Sequence, residues 1–137
     1  MSPGETDKRR DKRLDLTLPV KFFKCPDDGL LVRDGVTHNV SSGGVYFEAP
    51  VSHVVQDGPI ALRIGVHARD GEDKPSLTLV GSGLVCRIEE LEPRKVIGAW
   101  SDDQRKLGIL GVAVQFHQRP TIQLRSLEEL LWDDRRH

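Results

Sequence analysis

Cysteine is scarce in this chain of 137 residues: there are two, Cys25 and Cys86, and neither stands in a Cys-x-x-Cys or Cys/His spacing. That argues against a disulfide framework or a structural zinc site as the organising element. Aromatic residues make up only 5%. A barrel that binds RNA by stacking bases wants more of them on its surface, so that class ranks low. Charge of one sign is also lacking. The net charge of −1 gives no global field to draw in a nucleic-acid polymer. No apolar run approaches the roughly 18 residues of a membrane-spanning helix, so no membrane insertion is expected. Residues 1–13 have no apolar stretch of the kind a signal peptide carries, and the cytoplasm is the expected location.

Catalytic patterns are missing as well. The five histidines include no zinc spacing with a glutamate, and neither a G-x-S-x-G nor a Walker A lysine occurs. Cys25 has no local base. The carboxylate pairs Asp27-Asp28 and Asp102-Asp103 lack the other oxygen ligands of a calcium loop and read as solvated turns. No enzyme, metal or cofactor is expected.

What is present is alternation. Leu14, Leu16, Leu18, Val20 and Phe22 recur at period two, as do Ile60, Leu62, Ile64 and Val66. Val45–Glu48, Leu77–Ile88, Arg94–Trp100 and Ile109–Phe116 read as further strands. Asp34-Gly35 reads as a turn that interrupts extended chain from Leu30 to Val40, and Ser101–Lys106 as a solvated turn. Gly81 and Gly83, inside a long strand, suggest a bulge or barrel bend. Leu124, Leu127, Leu130 and Leu131 lie at helical spacing, with Ser126 and Glu129 as a capping box, and predict a helix over about 121–134. Six or seven short strands and one helix make an all-β domain, a small antiparallel barrel over residues 14–137, preceded by a flexible arm over 1–13.

Two polar stretches stand out. In Lys8–Arg13, five of six residues are basic. The run reads first as a solvated tail and, as the sharper alternative, as an anion clamp. Arginine presents a planar fork of donors suited to phosphate or to a guanine edge, and Arg9 and Arg13 are four apart. Asn39-Val40-Ser41-Ser42-Gly43-Gly44 has no large side chain. Asn39-Val40-Ser41 is a glycosylation sequon, which is irrelevant outside the secretory route. The stretch reads either as a bare turn or as a ligand loop, with an amide, hydroxyls and two glycines that permit positive φ and close backbone approach.

Together the two stretches resemble the PilZ domain, a bacterial receptor module for cyclic di-GMP. That family carries RxxxR on an N-terminal arm and then D/N-x-S-x-x-G after the first strands. Arg9-Arg10-Asp11-Lys12-Arg13 and Asn39–Gly44 match every fixed position, in order. The likeness extends over the strand pattern from Leu14 to Phe116. It implies a six-stranded antiparallel barrel with the ligand held across its surface by the arm. Arg9 and Arg13 are then expected at guanine edges and phosphates, with Asn39 and Ser41 contacting the ligand and Gly44 shaping the loop. Further contacts are expected at Lys8, Arg10, Ser42 and Gly43. The implied function is that of a stand-alone adaptor that binds cyclic di-GMP and signals to an effector protein through ordering of its arm. The alternative is a protein-interaction module of the same fold that binds no nucleotide. The segment Glu89–Gly108 is longer than a simple hairpin and reads as an extra strand or a partner surface.

Overall fold

Alternation becomes pairing in the three-dimensional structure, a computed structural model that describes residues 13–24, 32–51, 56–67 and 75–124. Seven strands occur among them: β1 (Pro19–Lys24), β2 (Arg33–Val40), β3 (Gly44–Pro50), β4 (Pro59–Val66), β5 (Leu77–Glu90), β6 (Ile109–Phe116) and β7 (Thr121–Leu124). All pairings are antiparallel, in the order β4-β1-β2-β3-β6-β5. β4 also pairs with β5, which closes six strands into a barrel. Every second residue points inward. Val20, Phe22, Val45, Phe47, Ile60, Leu62, Ile64, Val112 and Val114 meet in one buried cluster. Fully burying such side chains contributes about 1.5–3 kcal/mol each, the main force holding the ring together.

β5 is 14 residues long because it serves three neighbours. Its first half pairs with β4, and its second half pairs with β6. β6 leaves it at Phe116, and after a short bend β7 takes up the same edge at Leu77–Val80. The expected helix over about 121–134 is therefore corrected at its start. Thr121–Leu124 is a strand, because the open edge of β5 supplies backbone partners there. Residues 125–137, with the Ser126 capping box, lie outside the described residues.

Asp34-Gly35 is not a turn: β2 runs straight through it. Asp34 faces out and pairs with Lys21 at 2.9 Å. Gly35 faces in, where a Cβ would come within 2.8 Å of the Glu48 carbonyl and 3.0 Å of Phe47 and Val20. The glycine makes room for the core.

Regular pairing of β1 begins only at Pro19, five residues later than the leucine alternation suggests. Leu14 and Leu16 are 49% and 40% exposed. Buried Thr37 replaces the ladder here. Its hydroxyl donates to the Leu16 carbonyl at 2.5 Å and accepts from the Leu18 N–H at 2.9 Å. Leu14 then makes a two-bond bridge with Val40, each bond 2.9 Å.

The segment after β5 is neither strand nor simple turn. Pro93–Lys95 forms a 3-10 helix with proline at its first turn. Asp102–Leu107 forms a short helix, α1, with a complete Ser101/Gln104 capping box and Gly108 at positive φ just past its end. No helix among the described residues is long and apolar enough to cross a membrane.

Candidate functional site

Two bulges shape one outer face of the barrel. In β2, Thr37 pairs with Phe47 and Asn39 with Tyr46, so His38 is an extra residue. In β5, Val85 pairs with Val114 and Arg87 with Ala113, so Cys86 is extra. Such bulges re-aim side chains beside binding sites. Between them the registers define a row across four strands: Asn39, Tyr46, Ala113, Arg87. Three strand spacings of about 4.8 Å make the row roughly 14 Å long.

An open groove of about 1180 Å³ lies over this row. Its lining includes Arg13, Asn39, Ser41, Gly43, Gly44, Tyr46 and Arg87. The groove exceeds the roughly 300–1000 Å³ of common small-molecule pockets, so it has room for a dinucleotide. Arg13 reaches it because the Leu14–Val40 bridge fixes the neighbouring backbone beside the loop that starts at Ser41. Lys8, Arg9 and Arg10 lie outside the described residues.

The loop has its own internal logic. The Ser41 N–H donates to the Gly44 carbonyl at 2.8 Å. The Ser41 hydroxyl accepts from the N–H groups of Gly43 and Gly44 at 3.2 and 3.1 Å. It also reaches the Gly44 carbonyl at 3.3 Å. Ser41 is thus a loop-shaping residue in this structure. Among the described residues, the half-buried Asn39 amide has no hydrogen-bond partner. Neither Gly43 nor Gly44 adopts a positive φ, contrary to the reason the sequence suggests for them. Gly44 is required by closeness instead, since a Cβ there would stand 2.3 Å from the Val114 carbonyl. Ser42 is half-buried in the same loop.

Tyr46 lies across the floor. A Cβ at Gly111 would come within 2.0 Å of the phenol oxygen, so glycine there opens the space the ring occupies. The phenol donates to Glu89. Burial first, then that hydrogen bond and the Glu89 charge, push the phenol well above its ordinary pKa. Arg87 sits over the ring, 5.8 Å from its centroid, and His38 meets the ring edge-on at 5.4 Å.

Beneath the segment after β5 is a feature no sequence pattern announced. Glu48 points outward from β3 yet is 0% exposed. Residues 96–100 cover it. Its carboxylate accepts from the N–H groups of Ile97 and Gly98 at 2.8 and 2.9 Å and from Trp100 Nε1 at 2.6 Å. His38 Nε2 is 2.7 Å away. Burial alone raises a carboxyl pKa, but here the four hydrogen bonds outweigh it and hold Glu48 below its ordinary value. Arg105 of α1 secures the same turn from outside, donating to the carbonyls of Gly98 and Trp100 at 2.9 and 3.2 Å. So fixed, the segment brings Leu91, Arg94, Lys95 and Ile97 to the groove. The expectation that Arg94–Trp100 forms a strand fails because its backbone donors are spent on Glu48.

Among the described residues, no group of three His, Cys, Asp or Glu side chains is placed to hold a metal ion.

The family model of the PilZ domain matches residues 7–132. The chain belongs to the PilZ domain family. A solved structure of the Bacillus subtilis inhibitor of motility, MotI/DgrA, aligns with this PilZ domain at a TM-score of 0.54 and 16% identity. The alignment covers 95% of the present chain and 51% of that one, so this PilZ domain spans about half of the MotI/DgrA chain. No curated protein compared with it matches.

Proposed function

We propose that this PilZ domain is a receptor, not a catalyst, and that it binds cyclic di-GMP in the groove over the Asn39–Arg87 row. The observation that carries the reading is convergence. Arg13 and the Asn39–Gly44 loop, 26 residues apart in sequence, line one groove. Nothing in the packing of the core requires either Arg13 or the Asn39 amide there. Arg13 offers a charged fork to phosphate or guanine, and Asn39 offers an amide with both donor and acceptor. Asn39 is presented by β2 just past its bulge, and Ser41 and Gly44 shape the loop that follows beside it. Arg9, with contributions from Lys8 and Arg10, closes over the ligand from the arm. Charge-assisted hydrogen bonds of roughly 1.5–3 kcal/mol each offset an ordering cost of about 1–2 kcal/mol per arm residue. Ordering of the arm then presents a new surface to a protein partner in the cytoplasm.

Isothermal titration calorimetry with cyclic di-GMP tests this reading. Saturable heat at micromolar ligand, abolished by Arg13→Ala without loss of fold, is expected. Absence of heat from the wild-type chain at high micromolar ligand would sink it and leave the fold as a protein-interaction module.

A further inference from the structure

The basic residues of the groove fall into two groups. Arg13 stands with Asn39 on the β2 side. Arg87 of β5 stands at the other end of the row, and Arg94 and Lys95 of the 3-10 helix line the same groove. Glu89 is the acidic residue among them, and Tyr46 already engages it. Arg94 contacts Glu92 at 2.7 Å, with both side chains more than half exposed. An exposed pair of that kind gives way readily to a better anion. Arg87 is 3.9 Å from Glu89 and largely exposed. No part of RxxxR or of the Asn39 loop supplies these three cations.

We infer that Arg87, Arg94 and Lys95 form a second anion-binding wall, which takes the phosphate of the ligand that lies away from Arg13. The inference rests on the cyclic dinucleotide reading above. The two ends of the row are roughly 14 Å apart between backbones, so long cationic side chains at each end can meet separate anionic groups of one smaller ligand between them. Arg87 supplies a bidentate fork, and Lys95 a compact charge on a long stem. Arg94 and Lys95 are held at the groove only because the turn that follows them is docked. Glu48 takes the N–H groups of Ile97 and Gly98, and Arg105 takes the carbonyls of Gly98 and Trp100. Glu48 is a positioning residue for this wall, and the ligand does not touch it.

The test is calorimetry on the full chain with cyclic di-GMP, comparing the wild type with Arg13→Ala, Arg94→Ala/Lys95→Ala and Arg63→Ala/Lys106→Ala. The two double variants each remove two exposed positive charges, but Arg63 and Lys106 do not line the groove. All four side chains are exposed, so the fold is expected to survive, with circular dichroism as the check. The wall predicts a loss of roughly tenfold or more in affinity for Arg94→Ala/Lys95→Ala and a shallower dependence of affinity on salt. The Arg63/Lys106 pair should stay near wild type. Should wild-type binding and its loss in Arg13→Ala be seen while Arg94→Ala/Lys95→Ala binds normally, the wall is overturned and the messenger reading stands. Equal weakening in both double variants also overturns it, because net charge then explains the effect. No binding by the wild type overturns both.

Discussion

Replacing Glu48 with glutamine removes a charge and one acceptor oxygen from beneath the 96–100 turn while keeping the side chain's size. One oxygen of Glu48 takes the Ile97 N–H and His38 Nε2, and the other takes the Gly98 N–H and the Trp100 indole. A glutamine amide accepts on one side only. With its oxygen toward Gly98 and Trp100, its NH₂ confronts the Ile97 N–H, and His38 must turn its lone pair inward. One buried donor is orphaned, at about 1–3 kcal/mol, and the remaining bonds lose their charge assistance. Breaking a buried charged network of this kind costs about 3–5 kcal/mol in total. For 137 residues that corresponds to a fall in Tm of roughly 10–17 °C if unfolding is cooperative. The assay is urea unfolding followed by tryptophan emission in a Trp132→Phe background, where Trp100 is the sole tryptophan. The pH dependence supplies a second check. The folded-state pKa of Glu48 lies below its ordinary 4.5, so its contribution is complete above that value and is lost as pH falls through the lower folded pKa. The gap between wild type and Glu48→Gln should therefore close in acid. A variant within about 1 kcal/mol of wild type at neutral pH, with unchanged Trp100 emission, would refute the claim that this carboxylate holds the turn.

Three further outcomes are expected. Gly44→Ala should destabilise the barrel by about 1–3 kcal/mol in urea unfolding, because its Cβ meets the Val114 carbonyl at 2.3 Å and the β3–β6 pairing must shift. The single tyrosine, Tyr46, should stay protonated well above pH 10.0 in an ultraviolet titration, and Glu89→Gln should bring its ionisation back toward that value. Arg13→Ala should leave the melting temperature within a few degrees, since the side chain is exposed, yet weaken cyclic di-GMP binding at least about tenfold by calorimetry.

Alternation carried the barrel. The strands around Val45–Glu48, Ile60–Val66, Leu77–Ile88 and Ile109–Phe116 are where period two puts them, because half-buried strands write their faces into the sequence. Of the RxxxR and N-x-S-x-x-G stretches, Arg13, Asn39 and Ser41 line one groove, and Arg9 lies outside the described residues. Local reading failed where the deciding contact was distant. Gly35 resembles a turn glycine, but its reason is Phe47 and Val20 across the barrel. Glu48 occupies an outward strand position that in sequence is indistinguishable from a solvated one, and its donors lie about 50 residues later. The cap at Ser101 is legible as a serine three residues before a glutamine, although the charged residues between and after them give the stretch the look of a solvated turn. Arg87, Arg94 and Lys95 carried no motif, and only the registers of β5 and β6 and the docked turn bring them to the groove.

The two bulges have a consequence for how such a site changes. Without His38, Thr37 would still face inward, Asn39 outward and Val40 inward, and the same holds for Val85, Arg87 and Ile88 without Cys86. Each extra residue is an outward addition that leaves the interior alternation as it was. A one-residue deletion, usually among the harshest edits to a strand, should here be tolerated. A chain lacking His38 is expected to keep the β-rich circular dichroism spectrum of the barrel while losing the link from the Asn39 loop to Glu48. The rim can be edited residue by residue while the core beneath it keeps its pattern, so relatives can diverge in what they hold without re-solving how they fold.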